Sequence, residues 1–457
     1  MRYVPHTPGD VARMLDRIGV SSVDALFSQI IPQRLRLGRP LGLEPSLDEA
    51  SLARHLGELA ARNAAAGTPE GGLQFLGCGV HPHAIPAAVD LQISRAEWYT
   101  SYTPYQPEIS QGTLQAMFEY QTIVAEWLGL DVSNASMYDG STATAEAVLM
   151  ARRLSGKKRA IVSAGLHPEY RLVTETYTRA LPGGELVVVP LGADGRTDPK
   201  ALEARVLEEP DLACVVIQTP NFLGAIEDLR PVARLVHGRG AMLVGVSTEP
   251  VAFGMYAPPG KLGADIAVAE GIGLAIPPTL GGPGLGMFAA RGEHVRALPG
   301  RLVGETVDKE GRRGYVLTLA TREQHIRREK ATSNICTNTG LVALAFTIHA
   351  CMLGRQGLPE LARLCFRKAE YAKARIAALQ GFALLHPSPT FTELAVRVPG
   401  GDAKAVVQRA AERGVHPGVP AGRWDPGLED VLLVSVNETH RKEDLDRLVQ
   451  TLAEVAP

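Results

Sequence analysis

Short apolar runs alternate with amphipathic stretches through the middle of the chain. Runs rich in β-branched residues, separated by stretches with apolar positions at helical spacing, occupy 158–165, 185–191, 213–220, 241–247 and 265–271. Strands that alternate with helices form open, mainly parallel sheets with helices on both faces. The pattern therefore predicts a large α/β domain with a ligand site at the carboxyl ends of its strands.

Helical periodicity dominates both ends of the chain. Residues 1–66 have apolar positions at helical spacing behind acidic or hydroxyl starts, which predicts an N-terminal helical arm. Residues 331–457 begin with two helices, near 337–354 and 359–380, and end in the order strand, helix, strand, helix. We therefore predict an arm at 1–66, a large α/β domain at 67–330, and a long helix with a smaller α+β domain at 331–457.

The composition is that of a globular protein. The chain has 457 residues, of which 45% are hydrophobic and 21% charged, enough for a large buried core. A net charge of -2 and a pI near 6.7 give no reason to expect nucleic acid or a membrane surface as a partner. No signal peptide and no uninterrupted apolar run of about 20 residues is evident, so we expect a cytoplasmic protein.

The cysteines bear on disulfides and metal sites, whereas the lysines bear on the attachment of a cofactor. The five cysteines are odd in number and lack CxxC spacing, which disfavours a disulfide framework or a zinc ribbon and favours core thiols. We predict no metal site. Only ten lysines are present, so each can be considered as an attachment point for a cofactor.

The segment NASMYDGSTATAEA is a helix start rich in small and hydroxyl residues. Gly140, Ser141, Thr142 and Thr144 precede an apolar helical stretch that contains Glu146. The free amides of a helix N-terminus can bind a phosphate. The same residues also form an ordinary N-cap, and the sequence leaves both interpretations open.

A second segment, WYTSYTPYQPEISQG, is aromatic and stiffened by Pro104 and Pro107. Its aromatic and polar positions are Tyr99, Tyr102, Tyr105, Gln106, Glu108 and Ser110, the last of which could start the following helix. The tyrosines could be packing residues. Their density favours a loop that lines a site, because a buried tyrosine hydroxyl needs a partner.

A third segment, TREQHIRREKATSNICT, is strongly basic. Its charged residues are followed by small polar ones, in the order Arg322, His325, Arg327, Arg328, Lys330, Thr332, Ser333 and Asn334. A run of charged residues commonly lies on a solvent-exposed face of a protein. The small polar residues that end this run favour a loop shaped to a partner surface or to an anionic group.

These segments together resemble the glycine decarboxylase family, the P-protein of the glycine cleavage system. The similarity lies in YTPYQPEISQG, NASMYDGSTATAEA, the GGPG loop after the strand DIAVAEG, and TREQHIRREKATSNICT. It extends from the first fifth of the chain to about residue 345 and continues more weakly beyond. It is greatest to the N-terminal half of the long single-chain form, which in many bacteria is a separate subunit 1, or alpha subunit.

The resemblance implies the fold of type I pyridoxal phosphate (PLP) enzymes. It also implies decarboxylation of glycine and transfer of the aminomethyl group to the lipoyl arm of the H-protein. In the split form, subunit 2 carries the Schiff-base lysine, and the matching position here falls at Gly271, Ile272 and Gly273. No covalent cofactor is therefore expected on this chain, and PLP is expected on subunit 2, in an αβ unit that forms an α2β2 assembly.

No other lysine is well placed to replace the missing one. Lys261 precedes the strand, so it belongs at the opposite edge of the sheet from the expected site. Lys330, beside three arginines, is better suited to contact a phosphate or carboxylate than to form an imine. Glu249 stands where relatives would carry an aspartate, and we assign it no role toward a pyridine nitrogen. The stretch GVHPHAIP keeps only His83 and Pro86 of a usually more aromatic pattern.

The sequence therefore predicts the half of glycine decarboxylase that does not bind PLP. Tyr102, Tyr105, Gln106 and Glu108 are expected to reach toward the partner's cofactor, and the segment around Arg327 and Lys330 to hold the partner or the acidic carrier protein. Two alternatives remain. One is a structural or regulatory subunit with a degenerate site, and the other is a self-sufficient PLP enzyme such as an aminotransferase or desulfurase, which the lysine positions disfavour.

Overall fold

A computed structural model describes residues 5–66, 68, 71–279 and 282–456. The chain divides into two compact units, 1–63 and 64–457. In chain order the strands are β1 (Leu73–Gln74), β2 (Val132–Ser133), β3 (Arg159–Ser163), β4 (Leu186–Val189), β5 (Leu212–Gln218), β6 (Met242–Ser247), β7 (Ile266–Glu270), β8 (Gly286–Ala290), β9 (Leu302–Val307), β10 (Arg313–Thr318), β11 (Ala383–Leu384), β12 (Glu393–Arg397), β13 (Val415–His416), β14 (Val419–Pro420) and β15 (Val431–Ser435).

The α-helices are distributed over both units. In chain order they are α1 (Pro8–Ile18), α2 (Val23–Ile30), α3 (Glu49–Ala60), α4 (Ala87–Ile93), α5 (Ala96–Tyr99), α6 (Gln111–Leu128), α7 (Gly140–Ser155), α8 (Pro168–Thr178), α9 (Pro199–Glu208), α10 (Leu229–His237), α11 (Gln324–Arg327), α12 (Gly340–Ala377), α13 (Ala403–Ala411) and α14 (Lys442–Val455).

The N-terminal unit consists of α1, α2 and α3. A capping box between Thr7 and Asp10 starts α1, and Gly19 ends it with a left-handed φ of 81°. Within the described residues, none of the three helices contains a buried side chain. Their apolar stripes are therefore available for contact with another surface.

A seven-stranded sheet forms the centre of the larger unit, in the order β2-β8-β7-β6-β5-β3-β4. The strands β4, β3, β5, β6 and β7 run parallel, whereas β8 pairs antiparallel with β7 and β2. Every residue of β5 is buried, as expected for a central strand covered on both faces. Alternate residues of the strands pack against α7 on one face and against α9, α10, α6 and α12 on the other.

The C-terminal part of this unit contains a four-stranded antiparallel sheet, ordered β11-β12-β15-β14. Its inner face packs with α13 and α14 and with the second half of α12. The mainly parallel α/β class predicted from the alternation of strands and helices, with a smaller α+β part at the C-terminal end, is confirmed. The domain boundaries at 66 and 330 stay a prediction.

The helix α12 is broken at Gly354, where φ is 59° and ψ is -167°. Two helices were predicted from the sequence on either side of this position. By length and composition alone α12 could cross a membrane, the one such helix among the described residues. Its first half, through Phe346, packs against Tyr120 and Trp127 of α6, as the core helix of a globular domain does.

Candidate functional site

The loop after β7, where a PLP enzyme would carry its lysine, has no room for a side chain at Gly273. A Cβ atom built there would lie 2.1 Å from the carbonyl oxygen of His81. A Cβ at Gly271 would lie 3.0 Å from Leu285 and 3.2 Å from the sulfur of Met287. The amide of His83 also donates to the carbonyl of Gly273 at 3.2 Å, which joins the two segments. Of the following GGPG loop, Gly281 lies outside the described residues, as does Leu280 before it.

Glu270, the last residue of β7, holds this loop together. Its carboxylate accepts hydrogen bonds from the amides of Gly140 at 2.9 Å, Ile272 at 3.0 Å and Leu285 at 2.8 Å. Burial raises the pKa of Glu270, and the three amides oppose that rise. One buried carboxylate therefore links the end of the strand, the start of α7 and the entry to β8.

The start of α7 is capped by a second carboxylate. Asp139 accepts from the amide of Thr142 at 2.7 Å and from the hydroxyl of Ser141 at 2.6 Å. Thr144 donates to the carbonyl of Gly140 at 2.8 Å. Gly140, Ser141, Thr142 and Thr144 thus lie within the first turns of α7, not ahead of it as the sequence suggested, because Asp139 is the N-cap.

The two carboxylates bear on the two interpretations that the sequence left open for this helix start. The amides of Gly140 and Thr142 are already satisfied by Glu270 and Asp139. A phosphate at this N-terminus would meet two negative charges in place of free donors. The arrangement is that of an N-cap with an internal anion, and it favours the capping interpretation over the phosphate interpretation.

A buried cluster of histidines and glutamates covers the other side of the loop. His83 lies between two carboxylates, with Nδ1 2.8 Å from Glu438 and Nε2 3.1 Å from Glu249. Burial alone would lower the pKa of His83, but Glu249 and the other acceptors outweigh burial and raise it well above its ordinary value. Burial would likewise raise the pKa of Glu438, but the hydrogen bond and charge of His83 lower it to about 2.

Other buried groups complete this cluster. Nδ1 of His81 lies 3.2 Å from the hydroxyl of Ser435, and its Nε2 lies 3.7 Å from Glu393. Burial raises the pKa of Glu393 to about 7. The thiol of Cys365 donates to Glu438 at 3.3 Å, so this thiol, His83 and Glu438 satisfy one another's hydrogen bonds.

The space between this cluster and the loop is very small. The cavity bounded by His81, His83, Glu249 and residues 270–274 has a volume of about 10 Å³. A cavity of that size holds about one water molecule. The space beside the loop is therefore too small for an aromatic ring.

The aromatic segment lies on the surface. Tyr102 and Tyr105 are 74% and 78% exposed, so in this chain they do not pack into a core. Gln106 and Glu108 are also exposed, and Ser110 precedes α6 without a side-chain cap. The segment is called the tyrosine loop below, for residues 99–110.

Two contacts hold the base of the tyrosine loop in place. Pro104 is buried, and the guanidinium of Arg301 donates to the hydroxyl of Thr103. Arg301 also lies 3.8 Å from Glu323, which belongs to the basic segment. The loop therefore presents its tyrosines outward from a fixed base, and Arg301 connects it to the basic segment.

A groove of about 460 Å³ runs beside the tyrosine loop. Its walls are formed by residues 98–104, by Thr113, Met117 and Tyr120 of α6, by Pro283 and by residues 338–344 at the start of α12. The groove brings together three segments singled out in the sequence: the tyrosine loop, the GGPG loop and the chain that follows the basic segment. Most of its lining is apolar, which suits a neighbouring protein surface or an extended apolar ligand.

The basic segment divides into anchored and exposed residues. Arg322 donates to the carbonyls of Leu298 and Gly300, and Thr332 donates its amide to the carbonyl of Arg322 at 2.9 Å. The hydroxyl of Ser333 accepts from the amide of Gly300 at 3.4 Å.

Several other polar residues of the basic segment face solvent. Arg327, Lys330 and Asn334 are exposed, and neither cation has a side-chain partner among the residues that the structure describes. The side chain of His325 lies outside the described part. Positive charges without a partner in the described chain, those of Arg327 and Lys330 among them, are thus available on this surface for an anionic group or a partner.

The family of this chain follows from its sequence over almost its entire length. Residues 1–452 match the family described as "Glycine cleavage system P-protein". The chain belongs to this family. It is 54% identical over 461 aligned residues to a protein of Sorangium cellulosum (strain So ce56) named "Probable glycine dehydrogenase (decarboxylating) subunit 1", covering 100% of both chains.

Solved structures agree with this P-protein assignment. A crystal structure of glycine decarboxylase (P-protein) of the glycine cleavage system, in inhibitor-bound form, is 44% identical, covers 100% of both chains and superposes with a TM-score of 0.89. The sphingosine-1-phosphate lyase of Burkholderia pseudomallei is 17% identical, with a TM-score of 0.66 over 93% of this chain and 94% of its own. At that identity the second similarity concerns the fold alone.

Sequence reasoning missed several buried groups of this P-protein chain. It named His83 and Glu249 without roles and did not single out Glu438, which is 355 positions from His83. Glu146 was noted only as a member of its helix, yet it is fully buried and neither of its carboxylate oxygens has a hydrogen-bond partner among the described residues. Burial raises the pKa of Glu146 to about 7. A lone acid on the apolar face of α7 was the signal available for it.

Proposed function

We propose that this chain is subunit 1 of a two-subunit glycine decarboxylase and that it works with a subunit 2 that holds PLP. The observation that carries the proposal is the closed loop after β7. A lysine at Gly273 would meet the His81 carbonyl, and the adjoining space is filled by His81, His83 and Glu249. The residues present do not fit a PLP molecule. The full-length similarity to a protein named subunit 1 supports the same assignment.

The chemistry requires an electron sink, because loss of CO2 from glycine leaves a carbanion that PLP delocalises when it is bound. Subunit 2 would supply that sink. This chain would supply the tyrosine loop, whose exposed hydroxyls on a fixed base can be held against a neighbouring active site at a small entropic cost. We propose Tyr102, Tyr105, Gln106 and Glu108 as the residues that line the shared site.

Two further parts of the proposal concern the assembly. The exposed Arg327 and Lys330 form a contact surface for subunit 2 or for the acidic, lipoylated H-protein, because both cations lack partners within the described chain. The αβ unit pairs into an α2β2 assembly in the cytoplasm. Thr332, Ser333 and Asn334 follow these cations in the chain, and we include them in the proposed contact surface.

The test is reconstitution of the activity from separate chains. Each purified subunit is assayed alone and in a mixture for glycine-dependent exchange of CO2 with lipoylated H-protein and PLP present. We expect exchange only from the mixture, and a defined complex of the two chains in sedimentation. Exchange by this chain alone, or a mixture that neither associates nor turns over glycine, would contradict the proposal.

A purely structural role for this chain is the second candidate. The internally satisfied polar cluster around His83 favours it, since that cluster leaves no room for a ligand of its own. The two candidates differ at the tyrosine loop. A structural subunit would assemble and support full exchange after the tyrosine hydroxyls are removed.

A further inference from the structure

A second large cavity lies away from the tyrosine loop, at the carboxyl ends of β3, β4 and β5. Residues 190–193, Gly195 and Phe222 form its wall on the side of the seven-stranded sheet. The wall from the C-terminal part of the unit is formed by Leu385, Ala421, Trp424, Asp425 and Leu428. Its volume is about 460 Å³, and it shares no lining residue with the groove beside the tyrosine loop. That volume is in the range of small-molecule sites, and the carboxyl ends of parallel strands are where open α/β sheets bind ligands.

The apolar part of this cavity is built around two aromatic rings. Trp424 meets Phe222 edge to face, with ring centroids 5.2 Å apart, and the guanidinium of Arg423 lies over the Trp424 ring at 5.1 Å. Leu223, Leu385 and Leu428 complete the wall. A flat apolar group can therefore be accommodated between an aromatic face and aliphatic side chains.

One cation in the lining has no ion-pair partner among the described residues, although the lining also contains an exposed carboxylate, Asp425, which accepts from the amide of Gly427 at 2.8 Å. Arg171, on α8, is partly buried, and its guanidinium forms no hydrogen bond or ion pair with any residue that the structure describes. Arg397, in the same lining, is already paired with Asp430. A partly desolvated guanidinium favours an anionic partner, and its planar fork matches a carboxylate with two parallel hydrogen bonds.

A buried acceptor lies in the same wall. His386 is 6% exposed, and its Nε2 donates to the carbonyl of Leu223 at 2.9 Å. Its Nδ1 is then an acceptor, and it has no partner among the described residues. The lining thus contains a free cation and an unsatisfied buried nitrogen beside an apolar surface, a combination that core packing alone does not explain.

We infer that this cavity binds a small carboxylic acid with an apolar, ring-sized body. The carboxylate pairs with Arg171, and the body lies against Trp424 and Phe222. The inference does not rest on the function proposed above, because neither the tyrosine loop nor the loop after β7 contributes to this cavity. The site would give the chain a ligand of its own, independent of the partner's cofactor.

The test uses phenylacetate as the probe and phenylacetamide as its neutral analogue. Saturation-transfer NMR titrations are carried out on the full-length chain. We expect saturable binding of phenylacetate and binding of the amide that is weaker by at least about tenfold, since a charge-assisted pair is lost. No saturable binding of the acid, or equal binding of acid and amide, would overturn the inference.

Three variants locate the site. Arg171→Gln should weaken phenylacetate binding by at least about tenfold, and Arg171→Lys should weaken it less, because the charge remains without the fork. Arg205→Gln, at an exposed position of α9, serves as the matched control and should bind as the parent does. Unchanged binding by Arg171→Gln, with an unchanged unfolding midpoint, would place phenylacetate elsewhere and refute the assignment.

Discussion

The carbonyl oxygen of His81 lies 2.1 Å from the position of a Cβ atom at Gly273. A lysine at this position would therefore displace backbone, which is far more costly than moving the end of a flexible side chain. Because the His81 ring also lies 3.8 Å from Glu249 and 3.7 Å from Glu393, the displacement would disturb these contacts and its hydrogen bond with the Ser435 hydroxyl.

Restoring the lysine should fail to restore the cofactor. For Gly273→Lys we expect no stoichiometric pyridoxyl-lysine after incubation with PLP, borohydride reduction and peptide mapping, and a loss of roughly 1–3 kcal/mol in the free energy of unfolding from overpacking. Gly57→Lys is the control, since a Cβ at Gly57 has nothing within 4 Å. A stable Gly273→Lys variant with one reduced PLP per chain would show that the loop can open.

The tyrosine loop should contribute to turnover but not to assembly. Tyr102→Phe and Tyr105→Phe keep the rings and remove one hydroxyl each. If a hydroxyl contacts the substrate or a group charged in the transition state, its loss should cost about 1.5–3 kcal/mol, or ~10- to 150-fold in the rate of glycine-dependent CO2 exchange. Tyr177→Phe, on α8, is the control. Normal complexes with normal exchange in both loop variants would support the structural role instead.

Glu146 should make stability depend on pH. Its folded pKa of about 7 lies above the usual value of 4.5, so between these two values the folded state binds more protons than the unfolded state. The free energy of unfolding should then fall as pH rises through this window, by about 3 kcal/mol for this group alone. The variant Glu146→Gln should lack that part of the decrease.

The measurement is denaturant unfolding of the parent and of Glu146→Gln across pH 4.5 to 7, the window between the two pKa values. Glu393, also raised to about 7, is common to both proteins and cancels in the difference. The guanidinium of Arg153 lies 3.9 Å from the carboxylate of Glu146. This ion pair should persist at low salt. A constant stability difference over the window would mean that Glu146 ionises normally.

The apolar stripe of α3 should be covered in the assembled enzyme. Leu52, Leu56 and Leu59 are 44%, 53% and 42% exposed and recur on one side of the helix. Replacing all three by serine should weaken the complex with subunit 2, by up to about 1.5–3 kcal/mol for each side chain that the interface fully buries. Sedimentation at several concentrations measures this. Arg54→Ser, on the same helix, is the control, and an unweakened triple variant would show that the stripe faces something else.

The fold could be predicted from the sequence because the residues of each buried strand themselves show the apolar pattern of such a strand. The run LACVVIQ is apolar on both sides of its pleat, and that alone marks β5 as a central strand of a covered sheet. Likewise Gly354 separates two helical patterns in the sequence, and the structure shows a break in α12 at this residue. These signals depend on neighbours in the chain, so a single sequence contains them.

Only part of the candidate site could be predicted from the sequence. The tyrosine loop and the basic segment were found because unusual residues cluster within a few positions. The pairing of His83 with Glu438, or of Gly140 with Glu270, depends on how segments far apart in the sequence meet in the fold. None of these four residues is unusual in its local sequence. The helix start looked suited to a phosphate because the sequence shows the donors of α7 but not the acceptors that reach it from β7.

The two carboxylates at the start of α7 also bear on how the stability of the protein depends on phosphate-containing ligands. An enzyme whose helix N-terminus is completed by a bound phosphate gains stability in proportion to the logarithm of the ligand's concentration. Here Glu270 and Asp139 provide that negative charge as part of the chain. We therefore expect the free energy of unfolding of this chain to be independent of the concentration of inorganic phosphate or of PLP in the solution.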